Sequence, residues 1–323
     1  MARPLRIQFA GALYHVMSRG NERRPIVRDD IDRRKRLDWL RRTVETYGWR
    51  LHAFCLMTNH EHLFVETPEG NLSAGMQYLG GSYTSYFNWR HGRSGHLFQG
   101  RFKGHLVEEE GYFRQVSRYI HLNPVRAGMV TRPRDYPWSS YPGYVRSRRA
   151  VGWVTYDRVL AEFGSNLADA RRAYARFVSA AVDDPPPSPF AKAVGGLLLG
   201  SEAFVTRIRR MLQDRPDDAA LPQLRQLQPR PELLRIVEKV ANHFGHDPAD
   251  WRAGKRVNDV SRALATYLAR HRFGYPATQV AAVLGYRSHG GVLTAVKRIE
   301  SASPAVKQTA AKIEKALMGS ERR

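Results

Sequence analysis

A single cysteine, Cys55, occurs in the 323 residues. One thiol excludes a disulfide within the chain and any cysteine-based zinc site, and it fits a reducing compartment. No run of about 18 apolar residues is present, so a spanning helix is not expected. The opening stretch MARPLRIQFAGALYHV lacks an apolar core long enough for a secretory signal. A cytoplasmic, nucleoid-associated protein with no membrane partner is the expectation. No G-x-x-x-x-G-K-[ST] occurs, which excludes a P-loop ATPase, and no internal repeat is visible. Acidic residues are also scarce, 30 against 52 Lys and Arg, for a net charge of +22. Arg predominates among the cations, and its planar fork suits phosphate. A polyanion partner follows, with nucleic acid leading, DNA and RNA fitting the charge equally, and anionic lipid as the alternative.

Against that background, the stretch Leu51 to Thr67, LHAFCLMTNHEHLFVET, reads as two β-runs over 50–57 and 60–67. A tight turn at Thr58-Asn59 joins them, and Asn tolerates the positive φ that such turns need. His60 and His62 open the second run. Residues two apart on a strand share a face, so the two imidazoles can chelate one divalent cation. An H-x-H triplet in a chain with 12 His is weak by itself, and an incidental pair is the plain alternative.

A second cluster adds to it. Residues 111–130, GYFRQVSRYIHLNPVRAGMV, carry Tyr112, Phe113, Val116, Tyr119 and Ile120 at helical spacing. The helix is expected to stop near Asn123-Pro124. Tyr119 and Asn123, four apart, share a face. A phenol beside a cation can attack a phosphodiester and form a phosphotyrosine. The alternative is an ordinary core tyrosine.

Further elements follow in order. Residues 10–19 read as a strand, with His15 either a DNA contact or a sheet-face packing residue. Asp29 or Asp30 caps a helix to Tyr47, with an apolar stripe of Ile31, Leu37, Leu40 and Val44. Another helix runs from Asn71 or Ser73 to about Trp89. Arg101 and Lys103 lie on or beside a short strand and are assigned to phosphate contacts. The order β, α, β-turn-β, α, β, α predicts a ferredoxin-like α+β domain: a mostly antiparallel sheet, helices on one face, and the His pair on the open face.

Residues 135–149 read as an extended strap. Two short helices follow at 156–163 and 166–182. A proline-rich linker lies at 183–189, a basic helix at 201–212 and a second linker at 215–231. From Glu232 the pattern is all-helical. Residues 277–301 give a short helix, a turn at Gly285 and a helix opening near Ser288 or His289, which is helix-turn-helix spacing. Arg287, Ser288, His289 and Lys297 would then face duplex DNA. The predicted domains are 1–145, 146–231 and 232–323.

The motifs N-H-x-H at 59–62 and Y-I-x-x-N-P-V-R-A-G at 119–128 together resemble the single-tyrosine HUH transposases, specifically the REP-associated tyrosine transposases. YHVMSRGNERRPIV, HLFQGRFKG and YPWSSYPGY extend the resemblance to about residue 145. It implies His60 and His62 as metal ligands, Asn123 as the third ligand and Tyr119 as nucleophile. Mg²⁺ or Mn²⁺ is the implied cofactor, and single-stranded or hairpin DNA the implied substrate. We assign Arg126, within the same motif, to DNA contact. One departure is Glu61, where an apolar residue is usual. It should point to the opposite sheet face, where either the cover is poor or an Arg partner answers it. Residues 232–300 resemble the C-terminal DNA-binding domain of the replication initiator DnaA. The contact motif R-D-H-T-T reads here as Arg287-Ser288-His289-Gly290-Gly291, so that family's target sequence is not carried over. The function expected is a metal-dependent DNA strand transferase, with a DNA-binding regulator bearing a vestigial nuclease site as its rival. A homodimer is left open.

Overall fold

The computed structural model describes residues 7–213, 231–253 and 260–319. Residues 215–230 of the second expected linker lie outside them. Two compact units are present, one running to Arg207 and the other beginning at Ile208. No helix among the described residues is long and apolar enough to cross a membrane.

The first unit opens with β1 (Ala12–Arg19), α1 (Asp30–Tyr47), β2 (Arg50–Leu56), β3 (His60–Thr67), α2 (Leu72–Arg90), β4 (Lys103–Val107) and α3 (Glu109–Arg126). The sheet order is β2-β3-β1-β4-β5, where β5 is the short Leu198–Leu199. The first four strands pair antiparallel, and β5 joins β4 in parallel. This is the order and direction of a ferredoxin-like sheet, and the α+β class holds.

The cover of the sheet differs from the expectation of helices on one face. Side chains alternate along β3. Glu61 meets Arg36 of α1, whereas the ring of His62 meets that of Tyr119 of α3. Helices α1 and α2 therefore cover one face and α3 the other. The sheet's second face is apolar as well as His-bearing: Phe64 packs on Phe113 of α3 at 4.8 Å between ring centroids. That apolar surface needs cover from water.

Helix α1 starts where expected, its Asp29 side chain accepting the Asp32 N–H at 2.9 Å. Leu37, Leu40 and Val44 of the expected stripe face inward, but Ile31 does not. Ile31 is 51% exposed, while Asp32, Arg36, Leu40, Thr43 and Val44 are buried. The helix is turned by a polar network: Asp32 receives Arg90 at 2.5 Å and His91 at 2.8 Å.

The hairpin between β2 and β3 closes with Met57 N–H donating to the His60 carbonyl at 2.9 Å. Asn59 does not adopt positive φ; among the described non-glycine residues only Glu22 and Arg23 do. Tertiary bonds hold the turn instead. Ile26 N–H reaches the Thr58 carbonyl and Gly20 N–H the Asn59 carbonyl, both at 2.8 Å.

Residues past 145 belong structurally to this first unit, rather than forming a separate extension. The expected strap runs along the β2 edge: Leu56 N–H donates to Trp138 at 2.9 Å and Ser140 N–H to Phe54 at 3.0 Å. An edge strand is thereby covered. The strap turns helical at α4 (Tyr141–Val145), followed by α5 (Asp157–Ala161) and α6 (Leu167–Ser179). Tyr174 of α6 and Ser140 bracket the buried His121 of α3 at 2.6 and 2.7 Å. Helix α7 (Glu202–Gln213) follows β5.

The second unit contains α8 (Leu233–Phe244), α9 (Pro248–Arg252), α10 (Ser261–Tyr267), α11 (Ala277–Leu284), α12 (His289–Glu300) and α13 (Pro304–Gly319). Their inward residues form one core around Trp251, Leu264 and Leu284. Helix α13 was not expected from the sequence. It adds Ala310, Ile313 and Leu317 to that core, and Glu314 pairs with Arg272 at 2.8 Å. Gly285 is in the left-handed region at φ 67°, and a Cβ there would stand 2.2 Å from the Trp251 carbonyl oxygen. Only glycine satisfies both conditions.

Candidate functional site

Three strands and one helix bring the site together. His60 and His62 project from the same face of β3, with ring centroids 5.0 Å apart. Tyr119 of α3 meets the His62 ring edge-on at 5.7 Å. His62 and Tyr119, 57 residues apart in sequence, thus stand side by side, with His60 next to His62 on the strand.

Each imidazole has one nitrogen occupied. His60 Nδ1 bonds to Asn59 Oδ1 at 2.7 Å, and His62 Nδ1 to Nε2 of His15 at 2.9 Å. The Nε2 atom of each ring is then the one that could hold a cation. Burial, followed by the charge of Arg19, lowers the pKa of His60 to about 4. Burial, then His60 and Arg19, holds His62 well below the usual imidazole range. Both rings are neutral near pH 7, the form that binds metal. The donor set therefore fits a divalent cation, with two imidazoles supplied by the protein and positions left for oxygen ligands. No three His, Cys, Asp or Glu side chains among the described residues form a metal-holding group.

Asn123 lies one turn after Tyr119 on the same helix. Helix α3 does not stop at Pro124 but continues to Arg126. Proline has no N–H for the Ile120 carbonyl. The Asn123 side-chain Nδ2 stands 3.4 Å from that carbonyl and donates to the Tyr119 carbonyl at 2.8 Å. The carboxamide nitrogen is thus turned onto its own helix.

Three residues that motif reading did not assign complete the surroundings. His15 is buried and stacks on His62, with centroids 5.1 Å apart. It is a packing residue of the sheet face and not an exposed DNA contact. His105 of β4 lies opposite it in the register and 5.7 Å away. Phe190, immediately after the expected linker 183–189, stacks on His15 at 4.1 Å and His105 at 4.6 Å, and meets Tyr119 at 5.4 Å. An aromatic directly after a proline-rich stretch was the only signal for it.

A cavity of about 450 Å³ lies between α3 and the segment 186–192, lined by Gln115, Arg118, Tyr119, Arg126 and Lys192 among others. Arg126 sits over the Tyr119 ring at 5.5 Å and donates to the Pro186 carbonyl at 2.7 Å. Lys103 is exposed at the start of β4, opposite Met17, and Arg101 is exposed just before it. In the second unit, Arg287, Ser288 and His289 are exposed at the start of α12 with Lys297 further along. Leu293, between them on the same helix, is 54% exposed. Arg262 donates to the Leu284 and Gly285 carbonyls at 2.9 and 2.7 Å and fixes the turn that presents them.

Glu61 finds the Arg partner that its position calls for. Arg36 Nε donates to Glu61 at 2.8 Å, a second Arg36 nitrogen closes the fork, and Arg36 also reaches the Leu79 carbonyl at 2.9 Å.

Known proteins match this chain at both ends. Residues 8–123 match the family described as Transposase IS200 like. Residues 234–299 match the bacterial DnaA protein helix-turn-helix family. A putative REP-associated tyrosine transposase of Haemophilus influenzae is 29% identical over 112 residues, 31% of this chain. That alignment spans 64% of the relative's own length. A solved REP-associated tyrosine transposase bound to a REP hairpin is similar at 19% identity and a TM-score of 0.40, over 49% of this chain and 93% of that one. The resemblance to REP-associated tyrosine transposases and to the DnaA helix-turn-helix domain is thus shown, and the matched relatives are enzymes of the tyrosine transposase kind.

Proposed function

We propose that the protein cleaves and rejoins single-stranded DNA carrying a hairpin, such as a repetitive extragenic palindrome, through a covalent tyrosine intermediate. The observation that carries this reading is the 5.7 Å approach of the Tyr119 ring to the His62 ring. His60 and His62 would hold Mg²⁺ or Mn²⁺, with the Asn123 carboxamide oxygen as third ligand. The bound cation supplies positive charge to the scissile phosphate.

The chain's own groups do the rest. Tyr119 Oη attacks phosphorus and forms a 5′-phosphotyrosine; the bond to the 3′ oxygen breaks. The phenolic proton passes to solvent, and the departing oxygen takes one up as a 3′-OH. Attack by a 3′-OH on the phosphotyrosine reverses the step with no external energy. Arg126 over the Tyr119 ring offers a cation beside the forming bond, and Lys192 and Arg118 in the cavity suit the flanking phosphates. Arg101 and Lys103 contact the backbone further along the sheet. The helix-turn-helix unit holds duplex DNA through Arg287, Ser288, His289 and Lys297, and tethering raises the local concentration at the first site.

A second reading is a DNA-binding regulator with a vestigial nuclease site. It needs only the DNA contacts and no chemistry at Tyr119. Denaturing gels separate the two. Wild-type protein with a hairpin oligonucleotide and Mn²⁺ should give a covalent adduct that Tyr119→Phe loses. No adduct in the wild type supports the regulator, and cleavage surviving in Tyr119→Phe would point to a water nucleophile.

A further inference from the structure

We propose that His15 is a positioning residue for the cation site: its Nε2 accepts the Nδ1 proton of His62 and thereby presents His62 Nε2 to the cation. The inference rests on the reading of His60 and His62 as cation ligands.

The geometry begins with the register. His15 lies opposite Phe64 across β1 and β3, and His62 opposite Met17. The two histidines are therefore diagonal neighbours on one sheet face, within reach of long side chains. Their rings stack with an interplanar angle of 20°, and the nitrogens meet at 2.9 Å. His15 is only 2% exposed and His62 3%, so water does not readily replace this bond. Phe190 also stacks on the His15 ring, with centroids 4.1 Å apart, and restrains its rotation.

Tautomer logic supplies the rest. A neutral imidazole that ligates through Nε2 carries its proton on Nδ1. That proton needs a buried acceptor, and His15 Nε2 is the atom bonded to Nδ1. Outer partners of this sort fix ring orientation and tautomer, and their loss costs about 10- to 100-fold in metal affinity. His60 is held in the same way by a different group, the Asn59 carboxamide oxygen at 2.7 Å. Both ligands of the pair thus have an oriented Nδ1, one from the hairpin turn and one from the neighbouring strand. With its Nε2 accepting, His15 carries its own proton on Nδ1, a buried atom with no hydrogen-bond partner in the structure. The reverse arrangement, His15 Nε2–H donating, leaves that atom a bare lone pair. A cation on His62 Nε2 therefore fixes the tautomer of a residue that touches no cation.

The full-length protein is titrated with Mn²⁺, followed by electron paramagnetic resonance, as wild type, His62→Ala, His15→Leu and His15→Gln. The expected result is binding in the wild type that His62→Ala abolishes, a tenfold or greater weakening in His15→Leu, and recovery to within about threefold in His15→Gln, whose amide oxygen replaces Nε2. His15→Leu binding as tightly as wild type overturns the proposal. Wild-type protein that binds no Mn²⁺, or a His62→Ala variant that binds normally, overturns the cation reading and this proposal with it. A second measurement needs no substitution in the sheet. Long-range ¹⁵N–¹H spectra of histidine-labelled wild type are recorded with and without Mg²⁺. Both His15 and His62 should be Nδ1–H tautomers in the bound form; a His62 that keeps Nε2–H at saturating Mg²⁺ sinks the idea.

Discussion

The carboxylate of Glu61 is bound by the guanidinium of Arg36, with both side chains almost wholly buried. The pair lies on the face of β3 opposite the imidazoles that flank Glu61 in sequence. Tyr83 and Phe98 close over the guanidinium at 5.0 and 5.3 Å. Removing one partner leaves an unanswered buried charge, whereas replacing both need not. Glu61→Leu should destabilise the first unit by about 3–5 kcal/mol, and Arg36→Met with Glu61→Leu should recover most of the loss. Urea melts of the four proteins in the cycle test this. Additive losses in the double variant would show that the two residues act separately.

Acid should unfold the first unit through His121. Burial lowers its pKa from the ordinary 6.5 to about 3. The unfolded chain takes up the proton first as pH falls. The stability contribution is thus fully present above pH 6.5 and declines between there and pH 3, by up to about 1.4 kcal/mol per pH unit. His121→Phe should flatten that slope while lowering stability at neutral pH, since Tyr174 and Ser140 lose their partner. Thermal melts across this range are the measurement, and an unchanged slope in the variant would rule His121 out.

Gly285→Ala should damage the second unit alone. The positive φ and the 2.2 Å approach to the Trp251 carbonyl both oppose a methyl group. The expected loss exceeds about 1 kcal/mol. Circular dichroism of the variant should show a helical transition moved to lower temperature. Adduct formation on a hairpin oligonucleotide would continue in the first unit.

Lys297→Ala should weaken duplex binding about equally for all sequences and lower the salt slope by about one, if the residue meets a phosphate. Arg287→Ala and His289→Ala, at the start of α12, should instead change the preference among sequences. Fluorescence anisotropy at several salt concentrations reads both effects. A Lys297→Ala slope equal to that of wild type removes this residue from the interface.

Much of this arrangement is legible along the chain because it depends on near neighbours. Alternation on β3 puts His60 and His62 on one face, a 3.6-residue period marks α2 and α3, and Asp29 caps α1 by bonding three residues on. The same local signals failed where distant groups outvoted them. Ile31 was expected inside, but Asp32 and its partners Arg90 and His91, about 60 residues away, set the rotation of α1. Asn59 was expected at positive φ, but bonds from Gly20 and Ile26 hold the turn without it.

The sequence by itself determined the basic surface, the order of strands and helices, the shared face of the two imidazoles and the turn at Gly285. Each follows from composition or from spacing within a few residues. Only the tertiary structure decided that His15 would answer His62 across 47 residues, that Arg36 would answer Glu61 across 25, and that Phe190 would return to Tyr119. Those pairings depend on where separate segments of the chain meet, and a contact between distant segments leaves no periodic trace in either one.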